Sequence, residues 1–293
     1  MSKNKVRDLK LTLSNSSMST FNQCPRKFYY EYVLRLPRRQ KDYFILGTFT
    51  HYVLELFFKS LMENRDQAIA SLMGECFASA REKFPEATEP ILIDSKTILQ
   101  NYLGRVIKRL TLPERMALEN KFNICVDGIN VTGVIDRIDF GTNGELFIID
   151  YKTGKKAKSE KDFKTDMQLP LYALAAHKIY ETPLEKITCQ LDHLKVKSTQ
   201  TLQPTQETVD RVLNAIVESY ESIQKQYNSM EKDGWADVGP ENVATIKTHK
   251  EWSKDLEKQF TIFVTKFSKH WEPKPGWYCN YCDFYRTCSQ TMW

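Results

Sequence analysis

The chain has 293 residues, of which 27% are charged and 12% aromatic, and a formal net charge of +5. This composition excludes a disordered polyelectrolyte and a collagen-like fibre, and no apolar run approaches the ~20 residues of a membrane span. The mildly basic balance permits a nucleic-acid partner, and the start MSKNKVRDLK lacks the apolar core of a signal peptide, so the expected location is the cytoplasm.

Taken in chain order, residues 14–34 combine Ser and Asn caps with an aromatic helical stretch holding Phe28, Tyr29 and Tyr32, and Cys24-Pro25 lies between them. Residues 44–62 form a strongly apolar helical run in which His51 and Glu55 are four apart and share one face. From these residues alone His51 is either a hydrogen-bonded core histidine or a metal ligand. Helices continue to about residue 112, broken at Pro85, Pro90 and Pro113, and read as a helical insertion over residues 57–118 that covers a sheet. Residues 116–126 shift to strand period, with Glu119 near the start as an outer acid or an edge-strand charge.

Residues 131–156, VTGVIDRIDFGTNGELFIIDYKTGKK, carry the strongest signal. Two strands rich in Val, Ile and Phe flank Gly141 to Gly144, which have turn chemistry. A three-residue loop with Gly144 left-handed pairs Gly141 with Glu145, and that register puts Asp136 opposite Asp150. Strand alternation then brings Lys152 onto the face of Asp150. Opposed acids weaken a sheet, whereas a divalent cation would turn them into a site. The alternative is an exposed Asp150–Lys152 ion pair with Asp136 solvated. A helix over residues 166–180 carries Gln168 and Tyr172 four apart on one face. A hairpin is expected over residues 187–202, turning at 197–200, followed by amphipathic helices over 206–232 and 242–271.

The end of the chain, GWYCNYCDFYRTC, holds Cys279 and Cys282 two residues apart and Cys288 beyond. Zinc and iron–sulfur centres both use that spacing. A fourth ligand is needed, and Cys24, followed by proline as cluster cysteines often are, is the remote candidate.

Together these features resemble the RecB-like branch of the PD-(D/E)xK nucleases, specifically its iron–sulfur members, which include the nuclease of CRISPR adaptation and the AddB component of bacterial helicase–nucleases. The resemblance rests on GTFTHYVLE, GVIDRIDF, IIDYKTG and QLPLY in that order, bracketed by the cysteines. It implies an α/β, restriction-endonuclease-like core, a mixed sheet flanked by helices, in a single nuclease domain over residues 1–293. A [4Fe–4S] cluster, or zinc in its stead, would join Cys24 to the cysteines of residues 271–293. It implies that His51, Asp136, Asp150 and the backbone carbonyl of Tyr151 ligate Mg²⁺ or Mn²⁺, with Glu119 as an outer acid. Lys152 would activate water and stabilise charge on phosphate, while Gln168 and Tyr172 position the strand or the lysine. The implied activity is a metal-dependent deoxyribonuclease, an exonuclease on single-stranded or frayed ends, serving recombination, repair, phage DNA processing or CRISPR adaptation. Its partners would be DNA and a helicase, recombination or CRISPR protein. The alternatives are a noncatalytic DNA-binding subunit and a structure-specific endonuclease. No phosphate-binding loop ending in Lys and Ser or Thr is present, so no helicase motor is expected in this sequence.

Overall fold

The computed structural model describes residues 11–36, 38, 41–64, 68–106, 112–234 and 264–290. These residues divide into two compact units. One draws on Met1–Arg39, Cys125–Val131 and Asn214–Trp293, and the other on Gln40–Ile124 and Thr132–Leu213.

The second unit is built on a mixed sheet. Strand β2 (Arg115–Val126) turns through Asp127 and Gly128 into β3 (Ile129–Phe140), and both turn residues have positive φ, 48° and 80°. That backbone suits a two-residue hairpin with the right-handed strand twist, which Asp-Gly adopts readily. Strand β4 (Leu146–Lys152) runs antiparallel to β3 with Arg137 opposite Ile149 and Phe140 opposite Leu146. Gly141 N–H donates to Glu145 O at 2.8 Å, and Gly144 has φ +81°, so the expected loop and register are both present. Continued by one pair, the register sets Asp136 against Asp150.

Strand β5 (Ile187–His193) lies parallel to β4, and β6 (Ser198–Leu202) antiparallel to β5. The crossover from β4 to β5 contains the helix Gln168–Tyr180, as parallel neighbours require a long connection. The β5–β6 turn falls on residues 194–197, earlier than the polar run at 197–200 suggests. Leu194 is fully buried and Lys197 adopts φ 57°, so burial of the leucine draws the turn forward and leaves Ser198 to Gln200 in the strand.

Helices Asp42–Glu63, Ile69–Lys83 and Glu89–Val106 supply the apolar mass of this unit. Phe49, Phe57 and Phe58 on the first of them are fully buried, each contributing about 1.5–3 kcal/mol of transfer free energy. The opposite stripe of that helix, Phe44, Thr48, His51 and Glu55, faces a cleft instead.

Gly133 on β3 shows how tightly the sheet is filled. A Cβ there would lie 2.5 Å from Cζ of Phe122, a buried ring that itself meets Tyr172 edge-on at 6.0 Å. We expect Gly133→Ala to cost about 1–3 kcal/mol, because the Phe122 ring must leave its place. A thermal melt should register a loss of several degrees, whereas an unchanged melting temperature would mean that the ring has room to move.

In the first unit β1 (Thr12–Leu13) pairs in parallel with Asn130 and Val131. Helix Asn15–Gln23 starts with a reciprocal Ser14/Ser17 capping box. Its core is a set of stacked rings: Trp271, fully buried, lies 5.5 Å from Tyr29 and 5.8 Å from Phe28 at interplanar angles of 16° and 29°. Buried Arg26 donates from Nε to Trp271 O at 3.0 Å, and Tyr278 donates from Oη to Gln23 O at 3.0 Å. These contacts tie segments about 250 residues apart in sequence. The helix expected over residues 242–271 falls largely on 235–263, outside the described residues, while residues 264–268 are helical.

Candidate active site

The central hairpin and two helices bring the expected side chains together in the second unit. Asp136 on β3 accepts a hydrogen bond from Tyr151 N–H through Oδ2 at 2.7 Å, and its Oδ1 lies 3.5 Å from His51 Nδ1. Asp150 on β4 is 2% exposed, with Oδ2 2.6 Å from Lys152 Nζ and Oδ1 accepting from Gln168 Nε2 at 2.9 Å. Lys152 Nζ donates to Gln168 Oε1 at 2.9 Å, and Gln168 Nε2 also reaches Tyr172 Oη at 2.9 Å. Asp150, Lys152 and Gln168 thus form a closed ring held from the first turn of the helix Gln168–Tyr180. Tyr172 sits one helical turn further on and completes the support, as its spacing implies.

Glu119 enters this group more directly than an edge-strand charge would. Among the described residues, His51, Glu119 and Asp136 form a group whose donor atoms all lie within 4.8 Å of one another. Glu119 has φ 44°, a left-handed conformation inside β2, and such a strained residue in a strand re-aims its side chain. Asp150 is not in that trio, being engaged with Lys152 and Gln168. His51, Glu55, Glu119, Tyr151 and Lys152 line a single cleft of about 630 Å³.

The carboxylates of the cluster are shifted in opposite directions. Burial raises the Asp150 carboxyl, Lys152 opposes that and Asp136 adds to it, and the net position is about 6. Burial would also raise Asp136, but His51, the Tyr151 N–H and Lys152 hold it below its ordinary range. The His51 imidazole is lowered by burial and raised by Asp136 and Asp150, with the rise prevailing. Glu119 is raised by burial, and by Asp136, Glu55 and Asp150, with His51 in opposition. Clustered acids of this kind repel one another, and His51 and Lys152 offset part of that repulsion. Asp150 Oδ2 is buried against the Lys152 ammonium at 2.6 Å, and a buried carboxylate beside a second acid fits a cation ligand.

In the first unit Cys24, Cys279, Cys282 and Cys288 all line one cavity of about 380 Å³. Burial raises the Cys282 and Cys288 thiols, with Lys27 opposing at Cys282 and Arg26 at Cys288. Among the described residues no three of these thiols come within 4.8 Å of one another.

The sequence profile of the PD-(D/E)XK nuclease superfamily matches residues 12–289. The chain belongs to the PD-(D/E)XK nuclease superfamily. Within it, Asp150-Tyr151-Lys152 has the acid–any–lysine order of the superfamily's name, whereas Ile135 rather than proline precedes Asp136. One component of the ATP-dependent helicase/deoxyribonuclease of Streptococcus agalactiae is 27% identical over 151 residues, 49% of this chain. That stretch spans only 14% of the relative's own length. The Gene 69 protein of Mycobacterium phage L5 is 43% identical over 70 residues, 24% of this chain and 22% of that one. A solved structure from Eubacterium rectale, a candidate exonuclease, aligns over 77% of this chain and 86% of that one, at 10% identity and a TM-score of 0.48. No described helix of the present nuclease is long and apolar enough to cross a membrane.

Of the two sequence readings of Glu119, outer acid or edge-strand charge, its left-handed backbone and its place beside His51 and Asp136 fit the first. Glu55 lines the cleft on the same helix face as His51, as their four-residue spacing implies.

Proposed function

We propose that this chain is a metal-dependent deoxyribonuclease that hydrolyses phosphodiester bonds, working as an exonuclease on single-stranded or frayed DNA ends. The observation that carries the reading is the convergence of His51, Glu119 and Asp136 beside the closed Asp150–Lys152–Gln168 ring.

In this reading His51, Asp136, Asp150 and the Tyr151 carbonyl hold Mg²⁺ or Mn²⁺, and Glu119 completes the donor set. When bound, such a cation acts as a Lewis acid on phosphoryl oxygens and acidifies water. Lys152, fixed by Gln168, directs its ammonium at the charge that grows on phosphate as the bond breaks. Tyr172 holds Gln168, so it acts as a positioning residue. Asp136 keeps β3 and β4 in register at the site by accepting the Tyr151 N–H.

We assign the four cysteines to a [4Fe–4S] cluster that joins the two ends of the chain. Four thiols around one cavity support this reading, and zinc held by the same thiols is the alternative. The relatives named as part of an ATP-dependent helicase/deoxyribonuclease support a helicase partner.

The pH dependence of metal binding follows from Asp150. Its carboxyl lies above its ordinary 3.8, at about 6, so the metal-free fold loses stability as pH rises through that window. Asp136, held low, acts in the opposite sense only below about pH 4. A cation must displace the Asp150 proton below about pH 6, which weakens its affinity by about tenfold per pH unit. The rise in melting temperature with millimolar Mn²⁺ should therefore be larger at about pH 8 than at about pH 5. A shift independent of pH would remove Asp150 from the metal site.

The exonuclease assignment is tested on matched linear and circular single-stranded DNA with Mg²⁺ or Mn²⁺. Loss of the linear strand alone is expected, while equal loss of the circle would make the enzyme an endonuclease.

A further inference from the structure

Two aromatic rings that line the cleft are largely exposed. Tyr43 is 59% exposed and Phe44 50% exposed, and their ring centroids are 4.4 Å apart at an interplanar angle of 41°. Both line the same cleft as His51, Glu119 and Lys152. They occupy the first turn of the helix that begins at Asp42 and carries His51. Phe44, Thr48, His51 and Glu55 follow a 4-3-4 spacing and so share a face of that helix. At 1.5 Å per residue, Phe44 lies roughly 10 Å from His51 along the axis.

Lysines stand beside these rings, in a cleft that Glu55 and Glu119 also line. Lys41 Nζ is 6.0 Å from the Tyr43 ring centroid, and Lys83 Nζ lies 3.7 Å from that of Tyr52, a third aromatic lining the cleft. Lys152 lines the same cleft, and the exposed Lys155 and Lys156 follow it on the loop after β4. Aromatic faces interleaved with lysines match a polyanion that carries flat apolar groups. A single nucleic-acid strand meets both demands, since its phosphates pair with lysines and its unpaired bases present free π-faces. A duplex meets only the first, because its bases are already stacked inside.

We propose that Tyr43 and Phe44 form a base-stacking platform that holds unpaired nucleotides of a single-stranded DNA end beside the catalytic centre. The assignment rests on the nuclease reading of the cleft and specifies its substrate. Such a platform accepts any base, so it selects for strand state and not for sequence. It also gives the cleft a physical reason to prefer frayed ends over intact duplex.

The test measures binding in the Asp150→Asn background, where the strand is expected to survive. Fluorescein-labelled oligo(dT) is compared with an abasic oligomer of the same length. We expect oligo(dT) to bind about tenfold tighter or more, because each stacked base contributes. Adding Tyr43→Ala and Phe44→Ala should abolish that difference, while Phe44→Trp should retain it. A difference that survives both alanines overturns the proposal, as does its absence before they are introduced. Equal weakening of both oligomers also overturns it, since that is what a structural or protein-docking role would produce. Because binding is read without hydrolysis, the platform can be tested even if the wild-type chain cuts nothing. Conversely, an active chain whose KM for single-stranded DNA is unmoved by the two alanines loses the platform and keeps the nuclease.

Discussion

Replacing Lys152 with alanine should lower kcat/KM for metal-dependent DNA hydrolysis by between about a hundredfold and ten-thousandfold. The ammonium lies 2.6 Å from Asp150 Oδ2, donates to Gln168 Oε1 at 2.9 Å, and lines the cleft with its side chain 30% exposed. It is therefore both fixed and accessible, which are the two conditions for stabilising charge that appears only in the transition state. Without it, Gln168 keeps its bonds to Asp150 and Tyr172, so the geometry of the remaining side chains survives. Asp150 loses the positive neighbour that opposes its burial, and its carboxyl should rise further. The metal-free variant should then bind a proton more readily, and bound cation should restore part of the lost charge balance. Arginine should not substitute, since its planar fork cannot occupy the compact position of the ammonium between Asp150 and Gln168. Steady-state kinetics on end-labelled single-stranded DNA, with a thermal melt as a folding control, checks this. Activity within about threefold of wild type in a folded Lys152→Ala protein would take the lysine out of the chemistry.

Cys24→Ala should strip the proposed cluster and loosen the first unit. Cys24 is buried between two short helices and shares its cavity with Cys279, Cys282 and Cys288. A link between residue 24 and residues 279–288 closes almost the entire chain. On the chain-entropy account, a covalent closure of even 100 residues contributes about 4.7 kcal/mol, and a cluster would act in the same sense. The Trp271 stack and the Arg26–Trp271 hydrogen bond remain, so partial folding should persist. Protein prepared without oxygen should be brown and contain iron, and the Cys24→Ala variant should be colourless, with a markedly lower melting temperature. Iron content unchanged by the substitution would assign the fourth ligand elsewhere, and stoichiometric zinc in wild type would replace the cluster by a zinc site.

The parts of this site that are legible from sequence are those where local chemistry dictates geometry. Gly144 determines the loop, the loop determines the register, and the register sets Asp136 against Asp150 with Lys152 on the same face. Gln168 and Tyr172 are legible for a similar reason, since four-residue spacing on a helix needs no tertiary information. The two-residue gap between Cys279 and Cys282 marks a candidate centre, and the aromatic run after Cys24 proves to be one side of the ring stack on Trp271. What stays open in sequence depends on context. Glu119 reads there as an outer acid or an edge-strand charge, and the left-handed backbone that brings it to His51 and Asp136 is not announced by its neighbours. Tyr43 and Phe44 read as ordinary apolar residues of an amphipathic helix, because periodicity does not reveal which rings find a core. The turn at 194–197 is masked by a polar run just beyond it, and the burial of Leu194 decides the matter.

A metal-dependent centre at this hairpin is tested most directly by one comparison: wild-type and Asp150→Asn protein incubated with end-labelled single-stranded DNA, each with Mn²⁺ or Mg²⁺ and with chelator. Progressive loss of full-length strand is predicted for wild type with metal, and an intact strand for the variant and for wild type in chelator. Hydrolysis by the variant at the wild-type rate, or by wild type in chelator, would contradict such a centre.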